Sequence, residues 1–268
     1  MQPLTFGSSS FCADGWVGSF YPEKTPPRDH LRLYGQQFKS VEVESTFYRT
    51  PSPSTVERWY EDSPDHFIFA AKAPQVITHD KCMGDCDEEL YLFAEAMSGL
   101  REKLGPLLLQ FPYFNKKVFA TAEPWLARLH EFLPKLPKKI RWAVEIRNKT
   151  WLNERLFGLL REHRVALAWI DHPWMPRPAQ MLAMNGSLTT DFLYTRLLGD
   201  RYAIEEVTKT WNKAVVDRSR EIDEWAGVVQ AVRKAVPVYT YASNYFAGHA
   251  PDTIRKLMER IEKRTPKA

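Results

Sequence analysis

Eight apolar segments rich in β-forming residues recur along the chain, and helical patterns separate most of them. The segments are residues 4–8, 41–47, 67–73, 107–111, 140–147, 165–171, 192–198 and 236–242. Strands that alternate with helices over about 250 residues are typical of a (β/α)8 barrel. The sequence therefore predicts an α/β fold with one TIM-barrel domain over residues 1–268.

The helical patterns cover residues 90–104, 125–133, 152–163, 222–232 and 253–261, with two shorter ones near Tyr34 and Trp59. Two long stretches lack such a pattern. Residues 172–188 contain Pro, Met and Gly and predict a loop with at most a short helix, so the helix after strand 6 is expected to be irregular or missing. Residues 201–213 predict a second irregular connection.

A doubly wound open sheet is the competing architecture. Its nucleotide-binding form carries a glycine-rich loop after the first strand, whereas this chain has Gly7-Ser8-Ser9-Ser10 there, which is not G-x-G-x-x-G. No segment has the length or composition of a linker between two domains. The first observation favours the closed barrel, and the second favours a single domain.

The overall charge and the cysteine content narrow the class of protein. The chain has 37 Lys and Arg against 33 Asp and Glu, a net charge of +4, which is too weak to indicate nucleic acid by itself. Three cysteines are too few for a disulfide framework in 268 residues. The first residues lack a signal-peptide pattern, and no apolar stretch approaches membrane-spanning length. We therefore expect a reduced, cytoplasmic protein with no membrane partner.

Charged residues alternate with apolar ones near the ends of several predicted strands. The residues whose alternation points them inward are Glu42, Glu44, Lys72, Gln110, Glu145, Arg147 and Arg196. Asp171 ends strand 6, but it shares its parity with Val165, Leu167 and Trp169, so its parity alone does not point it inward. TIM barrels carry their sites at the carboxyl ends of the strands. We therefore expect these side chains to meet at that end.

Charges inside a barrel must pair with each other, bind a ligand or contact water, because burying them alone is costly. Lys72, Arg147, Arg196 and the nearby Arg49 give this end a cationic surplus. Phosphate or carboxylate groups would neutralise that surplus, so an anionic small molecule is the preferred ligand. The alternative is a salt-bridge network that satisfies itself and has only a structural role.

The run His79-x-x-Cys82-x-x-x-Cys86 loosely resembles a zinc-binding spacing, but no fourth ligand is evident. His172 and His249 lie near strand ends without a metal-ligand spacing. We therefore predict no metal site and no cofactor, and a divalent metal has no support from the sequence. No G-x-S-x-G elbow or Ser-His-Asp order indicates a serine nucleophile.

Seven motifs follow one another along almost the whole chain: GSSSFCADGWVGSFYP, VEVESTFYRTP, FIFAAKAPQVITH, KLGPLLLQFP, AVEIRNKTW, YTRLLG and VYTYASNYFAGHAP. In this order they resemble the YecE-like family, a domain of unknown function (number seventy-two). The resemblance implies a TIM barrel and no established reaction. It implies that the family's recurring polar positions are Glu42, Ser45, Thr46, Tyr48, Arg49, Lys72, Thr78, His79, Gln110, Glu145, Arg147, Arg196 and Asn244.

The chain departs from the pattern of this family at four positions. Glu44 stands where the family usually has Asn, and Ser10 replaces a usual Gly. Leu198 stands where the family would have His, so a proton-transfer role of that histidine is excluded here. Ser243 replaces the first of two Asn.

These observations predict an enzyme of the hydrolase or lyase type that acts on an anionic ligand. The predicted catalytic residues are Glu145 as general base or acid, Glu42, which orients it, and Lys72. The predicted substrate-binding residues are Arg147, Arg196, Arg49, Tyr48, Gln110, Asp171, Asn244 and His79. Two alternatives stay open: a nucleic-acid-binding or nuclease-like module that uses the same basic mouth, and a scaffold without catalytic function. The sequence makes no prediction about oligomeric state.

Overall fold

Eight parallel strands form a single barrel in the structure, which is a computed structural model that describes residues 1–264. The strands are β1 Leu4–Ser8, β2 Ser40–Val43, β3 Ile68–Lys72, β4 Leu104–Gln110, β5 Trp142–Glu145, β6 Ala166–Asp171, β7 Leu193–Leu197 and β8 Val238–Ala242. Their order is β1-β8-β7-β6-β5-β4-β3-β2, with β1 and β2 at the two ends of the ladder. The predicted (β/α)8 fold is therefore confirmed.

Helices connect the strands and cover the outside of the barrel. They are α1 His30–Gly35, α2 Pro53–Asp62, α3 Asp87–Ser98, α4 Glu123–Phe132, α5 Glu154–Glu162, α6 Pro178–Ala183, α7 Arg201–Val207, α8 Ser219–Val232, α9 Asn244–Ala247 and α10 Ala250–Lys263. Only the short α6 follows β6, as predicted. Within residues 1–264, no helix has the length and apolarity needed to cross a membrane.

The connection predicted to be irregular over residues 201–213 begins with a helix. The Asp200 carboxylate accepts hydrogen bonds from the backbone N–H groups of Tyr202 and Ala203 at 3.0 and 3.2 Å. This N-cap satisfies two donors that the first helical turn would otherwise leave free. α7 has only one buried residue, Ile204, so it shows no apolar periodicity. The cap that fixes its start is not part of an apolar pattern, and the sequence pattern therefore did not indicate this helix.

Alternation along the strands divides the core into two layers. On β6, Leu167 and Trp169 pack with the large cluster between the strands and the helices, whereas Ala168 and Ile170 belong to a smaller cluster inside the barrel. Alanines also stand at inward positions of β3 and β5. These small residues leave room for long side chains from β7 to cross the interior.

The largest differences from the predicted strand boundaries are at the end of β2 and at the start of β4. β2 ends at Val43, and Ser45–Phe47 form a 3-10 turn instead of extending the strand to residue 47. The Thr46 hydroxyl holds this turn, because it donates to the carbonyls of Val43 and Lys72 at 2.9 and 2.7 Å. In β4 the strand already begins at Leu104, where the sequence predicted the end of a helix.

A tyrosine hydroxyl joins β1 to β2, where the described chain shows no backbone ladder. The Tyr34 hydroxyl accepts from the Ser8 N–H at 2.7 Å and donates to the Ser40 carbonyl at 3.0 Å. Gly7 makes this close approach sterically allowed, because a Cβ at this position would lie 2.0 Å from the Ser40 carbonyl oxygen. The seam between β1 and β2 therefore depends on one glycine and one phenol.

Candidate functional site

Arg196 lies at the centre of a buried charge network inside the barrel. It is 1% exposed, and the carboxylates of Glu42 and Glu145 are fully buried. Its Nη2 lies 2.6 Å from Glu42 Oε1, its Nε lies 2.9 Å from Glu42 Oε2, and its Nη1 lies 2.7 Å from Glu145 Oε2. The Tyr194 hydroxyl also donates to Glu42. The network joins β2, β5 and β7, and it satisfies charges that could not be buried alone.

An open cavity of about 640 Å³ lies next to this network, at the carboxyl ends of the strands. Seven of the predicted site residues line this cavity: Tyr48, Lys72, His79, Gln110, Arg147, Arg196 and Asn244. Glu42 and Glu145 are absent from its lining and lie buried around Arg196. The site therefore has two layers, a closed network and a cavity with its own set of polar groups.

Lys72 is the last residue of β3 and lies in the wall of this cavity. Its Nζ lies 3.6 Å from the centroid of the Phe47 ring, and no carboxylate in the described chain lies within ion-pair distance of it. Burial, followed by the charge of Arg196, lowers the pKa of Lys72 to about 8, although Glu44 and Glu145 act in the opposite direction. Lys72 is thus an amine held without a direct counterion.

Arg147 keeps part of its hydrogen-bonding capacity free. Its Nε donates to Glu145 Oε1 at 3.0 Å, while its two terminal nitrogens have no partner within residues 1–264. The side chain is 28% exposed, and it lines the cavity. Burial alone would raise the pKa of Glu145, but Arg196 and Arg147 outweigh burial and hold this pKa below its usual range. Glu145 is therefore an ionised carboxylate with two guanidinium partners.

Glu44 is the carboxylate that faces the cavity. One of its oxygens accepts from Arg196 Nη2 at 3.0 Å, and its side chain is 41% exposed. The exposed part of Glu44 faces the cavity, and protein surrounds this carboxylate. Burial therefore raises the pKa of Glu44, and the charge of Arg196 only partly opposes this effect. Sequence alternation placed Glu44 in the interior, but it was not among the predicted catalytic residues.

Two histidines in the cavity wall are neutral at pH 7. His79 lies in the π-helical turn Val76–Asp80 that follows β3, and its Nδ1 is 2.8 Å from the Thr78 hydroxyl. Burial, Lys72 and Arg147, in that order, lower the pKa of His79 to about 4. Burial and then Arg147 also lower the pKa of His172. Burial, with the charge of Arg147 added to it, therefore disfavours a positive charge on either histidine.

The predicted substrate-binding residues with an uncharged amide or phenol group lie in the wall and at the rim of the cavity. Gln110 Nε2 donates to the Phe111 carbonyl at 2.6 Å, which leaves its Oε1 without a partner in the described part of the chain. Asn244 Oδ1 accepts from the Ala250 N–H at 2.9 Å, so that the amide is fixed at the start of α10. Tyr48 is exposed at the rim.

Two predicted substrate-binding residues lie away from the cavity. Asp171 has the outward parity of β6, and its carboxylate accepts from Trp225 Nε1 of α8 at 2.8 Å, so it joins the strand to a helix. Arg49 is exposed and is not part of the cavity lining. Asp171 lies outside the cavity because its position on β6 points it toward the helices. Arg49 lies outside it because the chain leaves β2 through the 3-10 turn Ser45–Phe47 before it reaches this residue.

The sequence missed the aromatic rim of the cavity. Trp174 and Tyr113 are exposed, and their ring centroids lie 5.7 Å apart in an edge-to-face arrangement. The His172 ring lies 5.2 Å from Trp174. All three lie in loops that have no periodicity, so only their positions after strands β4 and β6 could have indicated them.

The run His79-x-x-Cys82-x-x-x-Cys86, which only loosely resembles a zinc-binding spacing, does not bring its side chains together. Cys82 and Cys86 are buried free thiols in the apolar core, whereas His79 lines the cavity. Burial raises the pKa of both thiols, that of Cys86 to about 11. Among residues 1–264, no group of three or more His, Cys, Asp or Glu side chains is placed to hold a metal ion.

Comparison with known proteins gives a family match along nearly the whole chain. The model of the family described as "Protein of unknown function DUF72" matches residues 5–268. The protein named UPF0759 protein YecE of Escherichia coli K12 is 35% identical over 118 residues, which are 44% of this chain and 41% of YecE. UPF0759 protein YunF of Bacillus subtilis 168 is 28% identical over 166 residues, 58% of this chain and 56% of YunF. The match thus spans about half or less of these two relatives.

One solved structure matches this chain over almost its full length. A DUF72 family protein from Thermotoga maritima has a TM-score of 0.77 and 25% identity, over 97% of this chain and 99% of its own. The positions at which this sequence departs from the resembled family pattern are Ser10, Glu44, Leu198 and Ser243, and all four line the cavity.

Proposed function

The chain belongs to the DUF72 family, and from this premise we propose that it is an enzyme acting on an anionic molecule at the carboxyl-terminal mouth of the barrel. The ligand carries a phosphate or carboxylate group, and the reaction is a hydrolase- or lyase-type step that depends on proton transfer. The observation that carries this proposal is a set of cationic donors in the cavity wall, the Lys72 amine and the two terminal nitrogens of Arg147, that have no hydrogen-bond or ion-pair partner within residues 1–264.

An anion between these two groups would remove several unfavourable interactions at once. Burial is the main cause of the lowered pKa of Lys72, His79 and His172, and the charge of Arg147 adds to it in each case, so a bound anion would favour the charged form of Lys72. A phosphate or carboxylate oxygen accepts the charge-assisted hydrogen bonds that the terminal nitrogens of Arg147 lack. The buried Ser9 hydroxyl in the same wall is another group without a partner within residues 1–264.

Glu44 is the best-placed group for proton transfer. It lines the cavity, and its raised pKa brings its protonated form closer to neutral pH. Glu145 was expected to have this role, but two guanidinium partners hold it ionised and it does not line the cavity. We assign Glu145 and Glu42 the positioning of Arg196 and Arg147, and Gln110 a neutral hydrogen bond to the ligand.

Ligand-induced thermal stabilisation tests the anion site. Inorganic phosphate, phosphorylated sugars and small dicarboxylates should raise the melting temperature of the wild-type protein, because a ligand at a hundredfold excess over its Kd stabilises by about 2.7 kcal/mol. Arg147→Met should lose most of this response. Arg161→Met is the matched control, since Arg161 pairs with Glu154 outside the cavity, and it should respond like the wild type.

The proposal fails if no anion of this set raises the wild-type melting temperature. It also fails if Arg147→Met responds as strongly as the wild type, because the stabilisation would then come from another site or from general salt effects.

A nucleic acid is the second candidate, and the exposed aromatic rim favours it. Trp174, Tyr113 and Tyr48 give stacking surfaces next to a cationic cavity, the combination that single-stranded nucleic acids bind. The affinity for short oligonucleotides should then fall with salt with a logarithmic slope of about −0.7 for each phosphate contacted. Trp174→Ala should weaken this binding but leave phosphate-induced stabilisation intact. Absence of binding at low salt, or a flat salt response, would exclude this candidate.

A further inference from the structure

We propose that Lys72 forms a covalent imine with a carbonyl carbon of the substrate, so that the ligand is an aldehyde or ketone that also carries an anionic group. This inference rests on the proposed anion site and names the class of molecule that it takes. Lysine amines that are desolvated or lie next to another cation are the ones that act as nucleophiles toward carbonyl compounds.

The position of the amine separates Lys72 from the other cations of the site. Arg196 contacts three carboxylates and Arg147 contacts one, whereas Lys72 Nζ rests on the face of the Phe47 ring without an ion pair in the described chain. A lysine that only balanced the carboxylates would be expected to reach one of them. The aromatic face instead keeps Lys72 in the wall of the cavity, next to the space that a ligand would occupy.

The environment of Lys72 also favours the reactive, neutral form of its amine. Burial and the charge of Arg196 lower its pKa to about 8 from an ordinary value of 10.5. At pH 7 this change increases the neutral fraction by about two orders of magnitude relative to an exposed lysine. The ring of Phe47 can hold both the ammonium ion and the neutral amine, so deprotonation breaks no ion pair.

Imine formation needs only groups that line the cavity, and it consumes no oxidant or reductant. The Nζ lone pair attacks the carbonyl carbon, the C=O π electrons move to oxygen, and this oxygen takes a proton to give a carbinolamine. Nitrogen gives up one of its two protons, the hydroxyl leaves as water after a second protonation of oxygen, and the C=N bond forms with the remaining N–H in place, which gives the protonated imine. Glu44 can give a proton to the oxygen and later take one from nitrogen, since it faces the same cavity with a raised pKa. The protonated imine draws electrons from the neighbouring carbon, which is the chemistry of a lyase or an isomerase.

Arg147 supplies the second requirement, recognition of the anionic group. Its terminal nitrogens have no partner within residues 1–264, and it lines the same cavity as Lys72. An anion bound there would hold a carbonyl carbon of the same molecule near the amine, which makes attack intramolecular in effect. Anionic carbonyl compounds should therefore react with Lys72 faster than uncharged ones.

Reductive trapping tests the inference directly. Pyridoxal 5′-phosphate, an aldehyde that carries a phosphate, is added below the protein concentration at pH 7, borohydride reduces any imine, and peptide mapping locates the label. We expect the label to appear first at Lys72. The ratio of labelling at Lys72 to labelling at surface lysines should be at least tenfold lower with pyridoxal, which lacks the phosphate, and should be similarly lowered for pyridoxal 5′-phosphate in Arg147→Met. Lys81→Arg, a change at a surface lysine paired with Glu89, should leave the labelling of Lys72 unchanged.

Labelling spread over surface lysines, with Lys72 no faster than the rest, would overturn the inference. This result can be separated from a failure of the proposed function. If inorganic phosphate still raises the melting temperature while Lys72 is not trapped, the anion site stands and the imine is wrong. The main readout uses the wild-type protein, so it does not depend on the folding of any Lys72 variant.

Discussion

Arg196→Met is expected to lower the free energy of unfolding at pH 7 by about 5 kcal/mol, because removing one partner of a buried ion pair costs about 3–5 kcal/mol and Arg196 has two fully buried partners. Without the guanidinium, Glu42 and Glu145 would remain as buried carboxylates, and methionine could not replace their hydrogen bonds. Urea denaturation at equilibrium measures the loss.

Two control variants make this result specific to the network. Arg201→Met removes a guanidinium from an exposed helical pair with Glu205, and it should cost no more than about 1 kcal/mol. Arg196→Lys keeps the positive charge but should recover only part of the loss, since an ammonium cannot reach Glu42 and Glu145 with parallel hydrogen bonds as the guanidinium does.

The pH dependence of this loss has a definite sign. In the wild type the pKa of Glu145 is lowered, so its contribution to stability is present above the usual glutamate pKa and disappears as the pH falls through the lowered value. In Arg196→Met the main stabilising charge is gone, burial then raises the pKa of Glu145, and protonation of Glu145 stabilises the folded state. The difference between variant and wild type should therefore be smaller at pH 5 than at pH 7. A difference that stays constant or grows in acid would show that Glu42 and Glu145 are not left as buried charges.

The sequence predicted the faces of the strands better than the partners of their side chains. Alternation with period two correctly placed Glu42 and Arg196 inside the barrel, because parity depends only on local geometry. That Arg196 would reach carboxylates from both β2 and β5 depends on register and on small residues such as Ala143 and Ala168, which leave space across the interior. No pattern within a single strand contains this information.

The distinction between the buried network and the cavity was also beyond the sequence. Glu44 and Glu145 have the same charge and similar positions near strand ends, but a 3-10 turn places Glu44 in the cavity wall while two guanidinium groups enclose Glu145. Proton-transfer chemistry was therefore predicted for the carboxylate that the structure holds ionised. The aromatic residues of the rim lie in loops, where neither alternation nor helical spacing applies.

Gly7→Ala is the second substitution with a large expected effect, and it tests how the barrel is closed. The new Cβ would lie 2.0 Å from the Ser40 carbonyl oxygen, a contact with backbone that no side-chain rotation can relieve. β1 and β2 would have to separate, and this would break the hydrogen bonds through which the Tyr34 hydroxyl joins Ser8 to Ser40. Overpacking of a core costs about 1–3 kcal/mol and occasionally more, and we expect at least about 3 kcal/mol here because backbone must move.

Two further variants separate the parts of this argument. Tyr34→Phe keeps the ring but removes the hydroxyl, so it should cost about 1–3 kcal/mol, the range for a buried polar group left without its partner. Gly158→Ala is the matched control for the added methyl group, since a Cβ there meets only the end of the Arg161 side chain at 4.0 Å and the position lies inside α5. It should stabilise the protein by about 0.4–1 kcal/mol. If Gly7→Ala were as stable as the wild type, β1 and β2 could separate without cost, and the phenol would not be what holds the seam. Because Ser8, Ser9 and Ser10 follow Gly7 and line the cavity, a displaced β1 should also weaken the phosphate-induced stabilisation, which links closure of the barrel to the shape of its site.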